Sequence, residues 1–355
     1  MKIGFIGLPN SGKTTIFNAL TKSKAEVTEY ASKKAEPNIA VVNVIDDRVN
    51  YLSAMYKPKK TVYATIEFID FVLPAKESEE SDVFSSSSMA MIKNTDALAL
   101  VVRNFQDNLM GEPHPLNDIN QINDELLLSD LIITENRLEK IELSFKRGQK
   151  TNELQLEEKT IRKIHEQLNS NKAIRGMQFS EHEEKAIRGF QFLTKKPIMV
   201  ILNSGEDTFG KNEGLLKEIS KNYKCIEFTG NFEMELSQLD DDEAKIFMED
   251  MGIVESARNR LTKFAYDIVG YISFFTVGPD EVRAWNIHRG ETAVEAAGTI
   301  HTDLSRGFIR AECFSYENLI ELGSEKAVRE KGLFRLEGKD YIVQDGDILN
   351  IRFNI

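Results

Sequence analysis

Apolar and polar positions follow three different rhythms along the chain. Short apolar runs recur at 2–6, 38–46, 61–70, 97–105, 195–207 and 223–231. Runs of this length, bounded by turn residues and separated by helical stretches, predict buried strands of a mostly parallel sheet. Between the fourth and fifth runs the period changes. Leu127, Leu131, Thr134, Leu138, Ile141 and Phe145 step by four and three, and Leu154, Ile161, Ile164 and Leu168 resume the pattern after Gly148. That spacing predicts two antiparallel helices, a coiled-coil hairpin inserted in the sheet domain. From about residue 270 the runs shorten again, with turns at Gly290, Gly338 and Asp345-Gly346 and one helix over 292–301, where Thr292 and Glu295 form a capping pair. This end reads as a compact β-grasp-like module. The predicted organisation is a sheet domain over 1–125 and 195–270, a helical arm over 126–194, and a β-rich module over 271–355.

Composition narrows the function. The 355 residues carry 45 basic and 57 acidic side chains, a formal charge of −12. Any nucleic-acid contact must therefore come from a local patch. Lys146, Arg147 and Lys150 cluster at the expected arm tip, either as a solvated turn or as a contact for RNA or a partner. Cys225 and Cys313 are far apart and match no metal spacing, which points to a reducing compartment. No apolar run approaches the length of a membrane span, and the opening "MKIGFIG" lacks the features of a signal peptide, so the cytoplasm is expected.

The chemistry is concentrated at the start. Gly7-Leu-Pro-Asn-Ser-Gly12-Lys13-Thr14 fits the G-x-x-x-x-G-K-[ST] phosphate loop, placed between a strand and a helix as that motif requires. Asn10, Ser11, Gly12, Lys13, Thr14 and Thr15 are the expected phosphate-binding residues. Lys13 reaches the β- and γ-phosphates, and the Thr14 hydroxyl suits Mg²⁺. Asp70 ends the third apolar run, where a Mg²⁺-side carboxylate belongs, acting through water. Asn203-Ser-Gly-Glu206 ends the fifth, where a base-reading loop belongs.

At this point the chain resembles the YchF subfamily of Obg-related P-loop NTPases, called Obg-like ATPases in eukaryotes. The resemblance covers nearly the whole length. It rests on "GLPNSGKTTIFNALT", "AEPNIAVV", "KPKKTVYATIEFID" and "LNSGED", and above all on "EVRAWNIHRGETAVEAAGTIHTDLSRGFIRAE" and "RLEGKDYIVQDGDILNIRFN". It implies a G-domain-like α/β fold with a coiled-coil arm and a C-terminal TGS domain. It also implies a nucleotide cycle coupled to the ribosome or a translation factor. Asn203 and Glu206 match the family's N-x-x-E loop, in which the aspartate that guanine readers use is replaced, so ATP is expected over GTP. Thr229 stands where the family carries a serine beside the base.

Several positions depart from that pattern. Leu73 replaces a switch glycine and Pro74 follows it. The loop glycines become Glu77, Ser81, Val83 and Ser85, and Lys34 stands where a Mg²⁺-side threonine is expected. The family uses a histidine in the loop after the fourth strand; here that loop is about four residues short and carries His114. With Lys13, His114 is the catalytic candidate. Three readings stay open: a low-turnover ATPase, a nucleotide-binding scaffold that hardly hydrolyses, and a GTP-binding regulatory GTPase. A nucleotide-independent interaction protein is disfavoured by the intact Lys13 and Thr14.

Overall fold

The computed structural model describes residues 1–21, 37–71, 86–107, 110–239, 241–250 and 255–354. The chain begins β1 (Lys2–Ile6), α1 (Lys13–Thr21), β2 (Asn38–Asn43), α2 (Asp47–Tyr56), β3 (Lys60–Val62) and β4 (Thr65–Asp70). It continues α3 (Ser86–Lys93), β5 (Ala97–Asn104), α4 (Pro115–Lys146), α5 (Asn152–Asn169), α6 (Glu181–Ile187), β6 (Ile198–Ser204), α7 (Glu213–Ile219) and β7 (Lys224–Phe228). After α8 (Gly230–Gln238), α9 (Asp241–Asp250) and α10 (Ala257–Val269) come β8 (Tyr271–Thr276), β9 (Glu281–His288) and α11 (Ala293–Ile300). Strands β10 (Phe308–Ser315), β11 (Arg335–Glu337) and β12 (Asp347–Phe353) complete it, with short helices between β10 and β11.

Two compact units divide the chain: residues 2–40 with 67–258, and residues 41–66 with 259–355. The first unit is built on a sheet of order β2-β4-β1-β5-β6-β7. Strands β4, β1, β5, β6 and β7 run parallel to one another, with Phe5 opposite Asp70 and Asn203 opposite Phe228. Strands β5 and β6 are buried along almost their whole length, which is why they read as unbroken apolar runs rather than alternating ones. On one face Ile6, Leu100 and Leu202 share a core with Ile119, Ile122 and Leu126 of α4 and Ile219 of α7. Elsewhere Phe5 meets Phe17 of α1 and Phe68 edge-on, at 6.1 and 5.6 Å between ring centres. Parallel strands leave their carboxyl ends at one edge of the sheet, where ligands of such folds bind.

Helix α4 starts earlier than the heptads indicate. Its first turns, through Leu126, pack on the sheet, and Leu127 joins the arm's own core with Ile161, Ile164 and Leu168 of α5. One continuous helix thus belongs to both. The hairpin turns at Gly148 (φ +83°), and the Thr151 hydroxyl caps α5 by accepting from Leu154 N at 3.2 Å. Arg137 grips Glu157 with two parallel bonds of 2.6 and 2.8 Å.

The second unit holds a mixed sheet of order β11-β10-β12-β8-β9-β3, with α11 contributing Ala293, Ala296 and Ala297 to its core. Glu295 accepts from the backbone N–H and the hydroxyl of Thr292, as the capping pair predicts. The apolar run 61–70 is two strands, not one. Its first part, β3, pairs with β9 (Thr61 opposite Val282), and the second, β4, pairs with β1. Alternation marks a strand but carries no information about which sheet completes it. Residues 41–66, expected with the first sheet, therefore fall with the C-terminal unit. Among the described residues no helix is long and apolar enough to cross a membrane.

Candidate nucleotide-binding site

The loop after β1 is shaped by backbone and by neighbours. Gly7 takes φ +152° and Gly12 φ +85°. A Cβ on Gly7 would stand 2.3 Å from the Val101 carbonyl oxygen, and one on Gly12 2.1 Å from Asn203 Nδ2. Only glycine fits either place. Asn10 is also left-handed (φ +58°), and its amide lies 3.4 Å from Met110 Sδ. The loop ends on α1, whose amino end carries unpaired backbone donors and the positive pole of the helix.

Lys13 is the first residue of that helix and is 8% exposed. Its ammonium donates to the carbonyls of Gly7 at 2.9 Å and Leu8 at 3.1 Å. An ammonium has three N–H donors, so one remains for a ligand. Burial lowers the Lys13 pKa to about 8, against the opposing attraction of Asp70. Thr14 turns its hydroxyl toward Asp70 and donates to Oδ2 at 2.9 Å; Asn38 donates to the same oxygen at 3.4 Å. Asp70 is fully buried, and burial pushes its pKa up despite the bonds from Thr14 and Asn38 and the charge of Lys13. Its other oxygen, Oδ1, has no hydrogen-bond partner, and neither have the buried hydroxyls of Ser11 and Thr229. Unsatisfied buried polar atoms are uncommon in folded proteins, and three cluster in sequence motifs that should face one ligand.

Asn203 sits inside β6, 4% exposed, and ties three segments together. Its Nδ2 donates to the Ser11 carbonyl at 3.0 Å, and its Oδ1 accepts from Gly230 N at 3.0 Å. It braces the phosphate loop and the start of α8, directly after Thr229. Glu206 lies in the exposed turn after β6, and Thr15 is half-buried in the first turn of α1. His114 is exposed at the start of α4, where its side chain caps nothing. Thus the structure brings Lys13, Thr14 and Asp70 together and links Ser11 to Asn203, while His114 and Glu206 face solvent. Lys34, Leu73, Pro74, Glu77, Ser81, Val83 and Ser85 lie outside the described residues.

Three contributors were not singled out in the sequence: Asn38, the Gly230 amide and Arg103. Arg103 is 7% exposed and holds the following loop by donating to the carbonyls of Phe105, Gly111 and Glu112. A lone arginine in an otherwise apolar strand was the available signal. Asn38 and Gly230 gave none, because their roles depend on strands that are distant in sequence.

The donor set around Thr14 and Asp70 suits a hard divalent cation. It offers a hydroxyl and a carboxylate with an unfilled oxygen, and Mg²⁺ characteristically takes one or two protein oxygens with phosphate and water completing its shell.

A phosphate loop between β1 and α1, at the carboxyl edge of a parallel sheet, defines a nucleotide-binding P-loop protein of the α/β class. Residues 2–137 match the family model described as 50S ribosome-binding GTPase, and residues 271–354 match the model YchF-GTPase_C, described as a protein of unknown function. The Ribosome-binding ATPase YchF of Haemophilus influenzae is 39% identical over 362 residues, covering 100% of this chain and 99% of that protein. That of Bacillus subtilis is 37% identical, with 99% of each covered. The solved structure of the Schizosaccharomyces pombe YchF GTPase matches with a TM-score of 0.83 at 30% identity, over 99% of this chain and 97% of that one. The chain belongs to the YchF family.

Proposed function

We propose that the protein is a Mg²⁺-dependent, ribosome-associated nucleotide hydrolase that prefers ATP and turns over slowly in the cytoplasm. The observation that carries the nucleotide part is that Ser11 Oγ, Asp70 Oδ1 and Thr229 Oγ1, buried polar atoms in three of the expected nucleotide-binding segments, have no partner, while the buried Lys13 keeps one spare N–H. Lys13 neutralises the terminal phosphates, held in place by the Gly7 and Leu8 carbonyls. The backbone amides of residues 10–15 and the pole of α1 meet the remaining phosphate charge. Thr14 and Asp70 are the residues that would hold Mg²⁺, which would supply neutralisation of phosphate charge. Asn203 keeps the loop and the base side of the site in register. Thr229 lines the base side.

Ribosome association comes from relatives that carry it in their names. The arm tip, with exposed Lys146 and Arg147 and with Lys150 over the Phe145 ring at 5.7 Å, is a contact for RNA in this reading. The relatives are named both ATPases and GTPases. Base preference here rests on Glu206 in place of the guanine-reading aspartate. Slow turnover rests on Leu73 and Lys34, which replace a glycine and a threonine of the switches. Those same substitutions favour the second reading, a nucleotide-binding scaffold.

Parallel titrations with ATP and GTP, followed by single-turnover hydrolysis with Lys13→Ala as the control, test both. ATP is expected to bind more tightly, and wild-type hydrolysis is expected to exceed the control. A tenfold preference for GTP would overturn the base assignment. Equal rates for wild type and Lys13→Ala would leave the scaffold.

A further inference from the structure

A second concave feature lies at the opposite end of the first sheet. It is an open cavity of about 900 Å³ beneath the amino ends of β5 and β6, walled by the end of α3, by α6 and by the turn that leads into β6. Strand β5 has eight residues, so about 25 Å separates this edge from the phosphate loop. Five lysines and arginines line the cavity against three acids, in a protein whose net charge is −12.

The net excess is two positive charges, and part of the lining is engaged within the protein. Asp96 accepts from Lys2 N at 2.7 Å, and Glu184 is paired with Lys195. Lys196 donates to the carbonyls of Lys93 and Thr95 and so helps form the floor. Among the described residues Lys93, Lys185 and Arg188 make no side-chain hydrogen bond or ion pair, and Glu181 is the one lining carboxylate in that state. Three cations outside any hydrogen bond or ion pair converge on one concavity from two places in the chain, Lys93 at the end of α3 and Lys185 and Arg188 in and directly after α6, the last two exposed at its walls. Unpaired long cations normally spread apart on a surface. Held together in a cleft, their fields add and attract polyanions.

No buried polar atom without a partner is found among the lining residues. A small ligand with a fixed shape would be met by such atoms, whereas a phosphodiester backbone is met by mobile cations. We propose that this cavity seats an RNA phosphodiester backbone, contacted by Lys93, Lys185 and Arg188, as part of the surface that holds the ribosome. The last clause rests on the ribosome-association reading; the RNA contact does not.

The test uses the full chain and the variant Lys93→Gln/Lys185→Gln/Arg188→Gln, which removes charge without reversing it. Binding of a fluorescent short RNA duplex is followed by anisotropy across a salt series, beside ribosome co-sedimentation and ATP titration. Each phosphate contact contributes roughly one unit to the slope of log affinity against log salt. The variant is expected to bind the duplex at least about tenfold more weakly, with a slope shallower by about three. ATP affinity, set at the far edge of the sheet, is expected to be unchanged. Equal duplex affinity and slope in both proteins, or no duplex binding by wild type, would overturn the proposal. Loss of ribosomes by the variant without any duplex binding would also overturn it, in favour of an acidic protein face. Duplex binding that weakens as expected, with no co-sedimentation by wild type, would keep the cavity and remove the ribosome reading.

Discussion

Two buried aspartates of the first unit invite comparison. Asp70 and Asp130 are both fully buried, and burial raises the pKa of both. Asp130 of α4 accepts from Leu193 N at 2.9 Å, from Thr194 N at 2.7 Å and from the Thr194 hydroxyl at 2.7 Å. Both of its oxygens are filled, and the bonds tie the long helix to the turn before β6. Asp70 has one oxygen shared by two side chains and one with no partner. A buried carboxylate therefore says little about function by itself. The difference lies in whether the protein completes its hydrogen bonds or leaves them for something else.

That difference can be broken experimentally. The largest effect is expected at Lys13→Ala, beside Asp70. Single-turnover hydrolysis should fall by about a thousandfold, as for loss of a preorganised charge at the transferring phosphate. Thermal stability should hold or rise, because the buried ammonium is removed. A large loss of stability instead would make Lys13 a structural residue.

Asp130→Ala comes next and should behave in the opposite way. Two backbone N–H groups and a hydroxyl lose their acceptor, at about 3 kcal/mol of folding stability in denaturant titration. ATP affinity of the folded variant should stay within about twofold, since no ligand contact is removed. A selective loss of nucleotide binding would erase the contrast between the two aspartates.

Asp70→Asn should weaken Mg²⁺-dependent ATP binding by about tenfold, about 1.4 kcal/mol, while stability changes by less than about 1 kcal/mol. Titrations with and without Mg²⁺ separate the two. Equal weakening in both conditions would remove Asp70 from the metal side.

The smallest effect concerns pH. Burial lowers the Lys13 pKa to about 8. Triphosphate favours the ammonium, so above about pH 8 binding must take up a proton, and affinity should fall by up to tenfold per pH unit. Below about pH 7 the lysine is charged in both states and contributes no pH dependence. Calorimetry near pH 9, in buffers of different ionisation heat, should report uptake approaching one proton. No uptake would mean that the lysine is already charged before nucleotide binds.

Much of this was legible in the sequence, for identifiable reasons. The phosphate loop is local: its glycines, lysine and threonine act within eight consecutive residues, so spacing alone marks it. Strands β5 and β6 announce themselves because burial on both faces demands unbroken apolar runs. The arm announces itself because heptads are a short-range pattern, and the Thr292–Glu295 pair because capping spans one turn. Asp70 could be placed at a strand end, and its carboxylate does meet Thr14.

Other features belong to the tertiary structure because they depend on residues far apart in the chain. Whether Asn203 touches a ligand or braces the loop is set by the approach of Ser11 and Gly230, from a loop and a helix start 192 and 27 positions away. Asn38 reaches Asp70 across 32 positions. The division of residues 61–70 between two sheets depends on which partners, β9 or β1, offer free edges. The cation-lined cavity exists because α3, α6 and the turn before β6 meet at one edge of the sheet. Periodicity determined the elements and the motif determined the phosphate site; only packing decided which buried polar groups are satisfied and which are left open.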